Sequence, residues 1–430
     1  MKQKLLNIIY KFLKYCAKKY IEKHKPRVIG ITGSVGKTSS RMIITQVLQQ
    51  LLPEQRISTS PKNFNSELGI VFSIFEITDY TPSVQSLFKN TAKIIQKVLF
   101  GKEPYDMIVL EYGLDKPGDI AYLTSIVEPD FGIFTKLDMV HGEFFSDKEA
   151  IGREKRILLE KTKHKIYLGA GDLYLEKIFP ELHGEKQFFP HVENIKFEKK
   201  GEIIHSLFEF GGKQINSNLF GKENLEYVAL ACQIFLDMGN DLHRDIYHFQ
   251  LINQPGRFQL FSGIGESMLI DSTYNAAPAS MKKMIENTFL LQKGIFSDYK
   301  VGLIIGDMRE LGETSAGYHL GLNDDVIHAD LVYCIGNEID PLYQALEIQQ
   351  FGGILKKFTN SQNAGQELKT YLESTDDKYL LLFKGSQNTI FTEEALKEVL
   401  KNPEDKKTLV RQTTDWLEKK EKFFEKSEQK

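Results

Sequence analysis

The sequence has few cysteines, no excess of one charge and no long apolar run, and each of these absences excludes a class of protein. The three cysteines, Cys16, Cys232 and Cys334, lie far apart and form no C-x-x-C pair. We therefore expect neither a disulfide framework nor a cysteine zinc site, and a reducing, cytoplasmic location fits. No apolar run approaches the roughly 18–20 residues of a membrane-spanning helix.

The charges are nearly balanced, since 55 lysines and arginines stand against 58 aspartates and glutamates in 430 residues. The formal net charge of −3 leaves no global basic field, which argues against a nucleic-acid partner. Apolar residues make up 41% and charged residues 26%, which is typical of a folded globular chain. The length predicts about two to three domains.

Residues 1–26 differ from the rest of the chain, because they contain eight lysines and a single glutamate, Glu22. Apolar residues such as Ile9, Leu13 and Cys16 recur at helical spacing, which predicts an amphipathic basic helix. Such a helix lies either on an anionic membrane surface or against the body of the protein with its lysines in water. We favour packing against the body.

From residue 27 onward, short apolar runs alternate with segments of helix length, a pattern that predicts buried parallel strands in an α/β protein. The predicted strands are 28–32, 107–111, 132–135, 268–271, 301–305, 331–334 and 379–383. Residues 161–214 have shorter strand patterns and polar turns, which predict an antiparallel side sheet. Turn residues at 253–256 predict a domain boundary.

Residues 30–38 read GITGSVGKT, and they follow a predicted strand and precede a helical pattern. Backbone N–H groups in such a turn bind phosphates, and the helix N-terminus adds partial positive charge. Lys37 would reach the β- and γ-phosphates, and the Thr38 hydroxyl would bind Mg²⁺. The general P-loop has a glycine where this sequence has Ile31. We predict a nucleotide site formed by Gly33, Ser34, Gly36, Lys37 and Thr38.

Two other segments resemble GTPase motifs, because residues 135–138 read TKLD and residues 115–118 read DKPG. The stretch between them is too short for the strand and helices that a GTPase places there. We therefore interpret both segments as chance resemblances.

Three residues outside the P-loop are candidates for metal chemistry, and each also has an ordinary structural interpretation. Glu111 ends a predicted strand, where it would either bind Mg²⁺ or simply lie in water. His141 follows another strand end, and a lone histidine more often has a structural role. Lys155 lies in a predicted helix, and nothing physical distinguishes it from its neighbours.

Taken together, these segments resemble the Mur ligases, the ATP-dependent amide-forming enzymes of peptidoglycan synthesis, and among them the type that adds D-alanyl-D-alanine. The resemblance extends from Val28 to about Ser386. The matching segments are 30–38, 61–69, 111–120, 221–231, 255–257, 271–278, 306–312 with His319, and 384–386.

This resemblance implies ATP and Mg²⁺ as cofactors, and it assigns the residues of the site. Thr38 and Glu111 would hold one Mg²⁺, while His141 and a carbamylated Lys155 would hold a second. Lys37, His141 and Lys155 would be catalytic. The further residues implied for ATP are Asn224, Arg257 and Asp271, and those implied for the substrates are Asn63, Asn65, Asn275, His319, Lys384 and Ser386.

The resemblance also implies the fold and the domains. A P-loop central domain over 27–252, with a mainly parallel sheet and a small side sheet, would precede a Rossmann-like α/β domain over 253–402. Residues 1–26 would form the basic helix and residues 403–430 a charged helical tail. We expect no counterpart of the N-terminal domain with which this type grips uridine diphosphate, since only the basic helix precedes the P-loop in this sequence.

The implied reaction joins D-alanyl-D-alanine to the carboxylate of a muramyl peptide through an acyl phosphate. Two alternatives remain open. Another amide ligase on the same scaffold, of the folate polyglutamate or amino-acid polymer type, would also fit the motifs. A nucleotide-binding pseudoenzyme is less well supported, because Lys37, Thr38, Glu111, His141 and Lys155 are all retained.

Overall fold

The computed structural model describes residues 2–59, 68–77, 84–101, 104–138, 145, 147–200, 203–387 and 389–428. The chain divides into two compact units. The first consists of Met1–Glu193, Glu209–Ile215 and Glu223–Leu251, and the second of Asn194–Phe208, Asn216–Lys222 and Ile252–Lys430. Within the described ranges, every helix is too short or too polar to cross a membrane. The four predicted domain ranges remain a prediction.

The elements up to residue 251 begin with a long helix and then alternate between strands and helices. In chain order they are α1 (Lys2–His24), β1 (Arg27–Thr32), α2 (Lys37–Leu51), β2 (Ile57–Thr59), α3 (Gly69–Ile74), α4 (Val84–Phe100), β3 (Met107–Glu111), α5 (Asp119–Thr124), β4 (Phe131–Phe134), α6 (Lys148–Glu160), β5 (Lys165–Leu168), α7 (Leu173–Ile178), β6 (Glu185–Phe188), β7 (Lys196–Lys200), β8 (Ile203–Phe210), β9 (Lys213–Ser217), α8 (Lys222–Asp237) and β10 (Ile246–Phe249).

The remaining elements follow the same alternation after one antiparallel strand. They are β11 (Gln259–Ser262), β12 (Met268–Asp271), α9 (Pro278–Ile295), β13 (Lys300–Gly306), α10 (Ser315–Leu320), α11 (Asn323–Val326), β14 (Leu331–Ile335), α12 (Asp340–Ile348), β15 (Ile354–Phe358), α13 (Ser361–Ser374), β16 (Tyr379–Lys384), α14 (Glu393–Glu398) and α15 (Thr414–Glu428). All seven predicted strands are present, each within about one residue of its predicted bounds.

The first sheet has six strands in the order β2-β3-β1-β4-β5-β6, and all its neighbouring strands are parallel. β1 lies between β3 and β4. The chain first forms β2 and β3 on one side of β1 and then crosses to form β4 on the other side, so the direction in which strands are added reverses at β1. Such a switch point opens a crevice at the carboxyl ends of the strands, where α/β proteins bind ligands. The P-loop begins at this edge, directly after Thr32.

The assignment of residues 161–214 to a side sheet was partly wrong. β5 and β6 lie in this range, yet they extend the first parallel sheet. The four-stranded side sheet has the order β10-β9-β8-β7, with β7 and β8 antiparallel. β6 is an edge strand whose side chains are exposed or half-buried. It therefore lacks the continuous apolar run that predicts an inner strand.

The second unit contains a six-stranded sheet in the order β11-β12-β16-β13-β14-β15. Its strands pair in parallel, except that β11 runs antiparallel to β12. Asp271 is paired with Phe383 in this sheet, and Ile305 with Lys384. The carboxyl ends of β12, β16 and β13 therefore lie side by side, and they bring Asp271, Lys384 and Gly306 to one edge.

Helix α1 packs against the first unit, as the favoured interpretation of its sequence predicted. Leu13 and Ala17 are fully buried, and Cys16 and Tyr20 nearly so, within the same apolar cluster as residues of α3, α4 and β3. The opposite side of α1 is exposed, with Phe12 42% accessible. Helix α1 is therefore anchored along one side and leaves another side in water.

This packing predicts different effects for two neighbouring residues of α1. Leu13→Ala should lower the free energy of unfolding by about 2–5 kcal/mol, because it leaves a cavity in a closed cluster. Phe12→Ala, whose side chain is 42% accessible, should cost clearly less, about 1 kcal/mol, because its ring is only partly covered and no closed cavity forms. Urea unfolding followed by circular dichroism measures both. Equal losses for the two variants would contradict this packing of α1.

Candidate nucleotide and substrate sites

Two glycines allow the P-loop to turn tightly between β1 and α2. Gly33 has φ +145° and Gly36, which precedes the first residue of α2, has φ +88°. A Cβ atom at Gly33 would lie 2.0 Å from the Thr135 hydroxyl oxygen, and one at Gly36 would lie 2.2 Å from the Tyr227 hydroxyl. Both the backbone conformation and the close contacts therefore require glycine at these positions.

Residues after β4 hold the P-loop in place. The Thr135 hydroxyl donates to the Val35 carbonyl at 2.5 Å, and the Ser34 amide donates to the Lys136 carbonyl at 2.7 Å. The Ser34 hydroxyl donates to the Asp138 carbonyl at 2.8 Å. The TKLD segment therefore serves as a support for the P-loop. Its resemblance to a guanine-reading motif gave no indication of this role.

Two lysine side chains meet at one carbonyl oxygen of the P-loop. The Nζ atoms of Lys37 and Lys155 donate to the oxygen of Gly33 at 2.8 and 2.9 Å. Lys155 is only 1% exposed. Burial and then the positive charge of Lys37 hold the pKa of Lys155 well below its usual range, while Glu111 and other nearby carboxylates oppose the shift. The structure therefore favours a neutral amine at Lys155.

A hydroxyl, a carboxylate and a guanidinium meet beside the first turn of α2. The Thr38 hydroxyl donates to Glu111 Oε2 at 3.2 Å, and Arg41 Nε approaches the same oxygen at 3.4 Å. The Arg41 side chain is 2% exposed and also donates to the Thr59 hydroxyl. Hydroxyl and carboxylate oxygens are the ligands that Mg²⁺ prefers, so Thr38 and Glu111 suit such an ion.

Arg41 was not predicted from the sequence. The available signal was its position three residues after Thr38, which places both side chains on the same face of α2.

The N-terminal turn of α8 lies beside the P-loop. The Tyr227 side chain is buried, and its hydroxyl lies against Gly36. Asn224 precedes Tyr227 by three residues, so both lie on the same side of the helix. This arrangement brings Asn224, predicted to contact adenine, to the neighbourhood of the phosphate loop.

Three predicted site residues, Asn63, Asn65 and His141, lie outside the described residues. Among the residues that the structure describes, no group of three or more histidine, cysteine, aspartate or glutamate side chains is arranged to hold a metal. Of the predicted metal ligands, the structure describes Thr38, Glu111 and Lys155.

In the second unit, Asp271 connects two loops. The carboxylate is fully buried, and it accepts the Gly256 amide at 3.0 Å as well as the Thr273 amide and hydroxyl at 3.0 and 2.6 Å. Burial raises its pKa, although these hydrogen bonds oppose the shift. The guanidinium of Arg257 lies 4.2 Å from the ring centre of Tyr274. Asp271 thus holds the turn that carries Arg257, and its own oxygens are occupied within the chain.

Lys384 lies at the carboxyl end of β16 and is only 4% exposed. Its Nζ donates to the Asn275 carbonyl at 2.8 Å and to the Ser272 hydroxyl at 3.3 Å. Burial, and then the charge of Arg257, lower the pKa of Lys384 to about 7, and Asp271 partly opposes this shift. A buried lysine that changes charge near neutral pH is suited to binding an anion.

Ser386 and His319 fix the loop that follows β13. The Ser386 hydroxyl accepts the Arg309 amide at 2.9 Å and donates to the Ala276 carbonyl at 3.2 Å. His319 is fully buried; its Nε2 accepts the Met308 amide at 2.9 Å, and its Nδ1 lies 2.8 Å from the Ser315 carbonyl. In this arrangement His319 positions the loop, whereas Asn275 is exposed and its side-chain oxygen accepts the Gln387 amide.

The C-terminal tail supports the loop that follows β12, beside Lys384. The sequence did not predict this role of the tail. Arg411 donates to the carbonyls of Thr273 and Tyr274 at 2.7 and 2.9 Å, and it forms an ion pair of 2.6 Å with Glu393. Lys420, in α15, pairs with Glu393 at 2.7 Å and is also buried. The sequence of the tail mixes both charges, and nothing in it distinguishes these buried residues from exposed ones.

Comparison with known proteins shows a similarity to one family over part of the chain. Residues 31–235 match the Mur ligase middle domain. The chain is 24% identical over 341 residues to the UDP-N-acetylmuramoyl-tripeptide–D-alanyl-D-alanine ligase of Haemophilus influenzae, and the match covers 77% of this chain and 68% of that protein.

Two solved structures have the same fold. The crystal structure of the MurF ligase from Thermotoga maritima in complex with ADP superposes with a TM-score of 0.70 at 21% identity, covering 92% of this chain and 84% of that one. The bifunctional folylpolyglutamate synthase/dihydrofolate synthase from Yersinia pestis, complexed with AMPPNP and Mn, superposes with a TM-score of 0.54 at 18% identity, covering 89% and 92%.

The environment of Lys384 predicts how the stability of the protein depends on pH. Its pKa of about 7 in the folded chain lies below the ordinary 10.5, so between these values only the unfolded chain holds the proton. The penalty for burying the charge is therefore complete below pH 7 and decreases as the pH rises. Relative to Lys384→Met, the wild-type free energy of unfolding should increase by about 2 kcal/mol from pH 7 to pH 9.

Urea titrations of both proteins at several pH values measure this difference, and the other titrating groups cancel in the comparison. A difference that stays constant over this range would show that Lys384 keeps its ordinary pKa.

Proposed function

We propose that this chain, a homologue of the Mur ligases with a Mur ligase middle domain over residues 31–235, joins D-alanyl-D-alanine to the carboxylate of a muramyl tripeptide with hydrolysis of ATP to ADP and phosphate. The observation that carries the proposal is the meeting of Lys37 and Lys155 at the Gly33 carbonyl of a glycine-bounded phosphate loop. The names of the relatives support the choice of substrates.

The reaction begins with two anions that repel each other, the acceptor carboxylate and the triphosphate. Cations and N–H dipoles that are already in place lower the free energy of their approach. Lys37 would contact the transferring phosphoryl group, and the amides at the start of α2 would bind phosphate oxygens. A carboxylate oxygen attacks the γ-phosphorus and the bond to the β,γ-bridging oxygen breaks, which gives an acyl phosphate and ADP.

In the second step the amine nitrogen attacks the acyl carbon, loses a proton and displaces inorganic phosphate. Lys384 would bind the carboxylate of the incoming dipeptide, because a bound anion favours its charged form. Asn275 lies next to it on the exposed side, and its backbone carbonyl already accepts the Lys384 ammonium.

Thr38 and Glu111 would hold the Mg²⁺ ion, which supplies positive charge against the triphosphate. Lys155 is proposed to be carbamylated: its neutral amine adds to carbon dioxide and releases a proton, so that the side chain becomes an anion with oxygen donors. The low pKa of the Lys155 amine supports this chemistry, since only the neutral form reacts. His141 remains a predicted ligand of a second ion.

A second candidate function is that of a folylpolyglutamate synthase, which the structural similarity to the Yersinia pestis enzyme favours. Its superposition is weaker than that of the Thermotoga maritima ligase, with a TM-score of 0.54 against 0.70. Measurement of ADP release distinguishes the two. We expect release that needs both UDP-N-acetylmuramoyl-tripeptide and D-alanyl-D-alanine. Release with a folate and glutamate alone would favour the second candidate.

Replacing the P-loop lysine should abolish the reaction and leave the fold intact. Lys37→Ala removes a cation from the transferring phosphoryl group, and ADP release should fall by about two to three orders of magnitude. Lys161→Ala, which removes a half-exposed lysine after α6, is the matched control and should retain full activity. Turnover close to wild type in Lys37→Ala would refute the assignment of the phosphate loop.

Carbamylation of Lys155 can be detected without measuring activity. In bicarbonate labelled with ¹³C, the wild-type protein should show a carbamate carbon resonance that is missing in Lys155→Ala and present in Lys161→Ala. Activity lost in Lys155→Ala should be partly restored by a short carboxylate. A wild-type spectrum without the resonance, recorded with ATP and Mg²⁺ present, would refute the modification.

A further inference from the structure

Helices α1 and α4 pack against each other and share one apolar cluster, and each also exposes a second row of apolar side chains. On α1 the exposed residues are Ile8, Phe12 and Tyr15, which are 64%, 42% and 58% accessible. On α4 they are Phe88, Leu99 and Phe100, at 51%, 64% and 73%. We call these six residues, with the exposed Lys11, Lys19 and Lys89 beside them, the α1–α4 face.

The spacing of these residues places them away from the buried side of each helix. Ile8, Phe12 and Tyr15 are separated by four and three residues, opposite to the buried Leu13 and Ala17. On α4, Phe88 and Leu99 are eleven residues apart, which is about three turns, and so they lie on the same side, away from the buried Leu87 and Ile94; Phe100 follows Leu99 at the end of the helix. The exposed apolar side chains of both helices therefore point away from the core.

This concentration of exposed apolar residues is unusual for the chain. The described residues hold fifteen exposed large apolar side chains, and six of them lie on these two helices. Every exposed phenylalanine among the described residues lies on one of these two helices, at Phe12, Phe88 or Phe100. Scattered apolar residues need no explanation, but a cluster of this kind marks a surface that binds something.

The charge of the two helices indicates the chemistry of the partner. They contain ten lysines and a single acidic residue, Glu22, although the whole chain has a formal net charge of −3. Glu22 forms a surface ion pair with Lys19 at 2.7 Å. A partner for this surface must therefore accept apolar side chains and also carry distributed negative charge.

We propose that the α1–α4 face binds the surface of an anionic lipid bilayer. The aromatic and leucine side chains enter the boundary between head groups and acyl chains, and the lysines extend their ammonium groups to the lipid phosphates. A second copy of the chain is a poorer partner, because a symmetric contact would bring two lysine-rich surfaces together. The inference does not depend on the proposed ligase reaction.

Vesicle flotation of the full-length protein tests the proposal. In low-salt buffer the protein should float with mixed phosphatidylcholine–phosphatidylglycerol vesicles and much less with pure phosphatidylcholine, and high salt should weaken the binding. Phe12→Ser with Phe100→Ser should reduce the affinity by about ten-fold or more. Lys11→Glu with Lys89→Glu should do the same through charge.

Matched controls carry the same types of substitution at exposed positions outside the α1–α4 face. Leu173→Ser with Ile348→Ser, and Lys401→Glu with Lys406→Glu, should leave vesicle binding unchanged. Circular dichroism verifies that each variant is folded. The proposal is overturned if the wild-type protein does not bind vesicles, or if the controls lose as much binding as the variants of the α1–α4 face. It is also overturned if light scattering shows a dimer that the phenylalanine variant dissociates, while vesicles are not bound.

Discussion

The first unit depends on two lysine side chains that share one buried carbonyl oxygen. Two positive charges this close together would repel each other, and burial removes the water that would screen them, so the Lys155 amine is favoured in its neutral form. The oxygen that they share belongs to Gly33, whose conformation leaves no space for a side chain because Thr135 lies against it. The loop, the segment after β4 and the middle of α6 are therefore tied together around the positive charge of Lys37, which an anionic ligand would stabilise.

A comparable constraint acts in the second unit, where Lys384 and Asp271 are buried at neighbouring strand ends. Apart from the Gly256 amide, their partners are backbone and hydroxyl groups of the loop 271–278, so this loop must be held firmly for either group to keep its environment. Arg411 supplies that support by binding two carbonyls of the loop, and Glu393 and Lys420 hold Arg411 and its surroundings in place. Glu393 of α14 and the basic residues of the tail thus hold this loop through a chain of direct contacts.

The parts of this fold that could be predicted are those with a local cause. Strands β3 and β12 were predicted to the residue because each is a short, almost wholly apolar run, and Lys37 and Thr38 because a phosphate loop has a recognisable local pattern. β6 was misassigned, since an edge strand lacks such a run. Thr135 and Arg411 could not be found, because they act on Val35 and Thr273, which are 100 and 138 residues away along the chain.

The central claim is that this protein activates a carboxylate by phosphorylation before an amine attacks it. The most direct measurement uses muramyl-tripeptide acceptor with ¹⁸O in its reacting carboxylate, together with ATP and D-alanyl-D-alanine. An acyl phosphate transfers one carboxylate oxygen to the departing phosphate, so the account predicts released phosphate that carries one ¹⁸O atom for each amide bond formed. Phosphate free of label, or AMP in place of ADP, would contradict it.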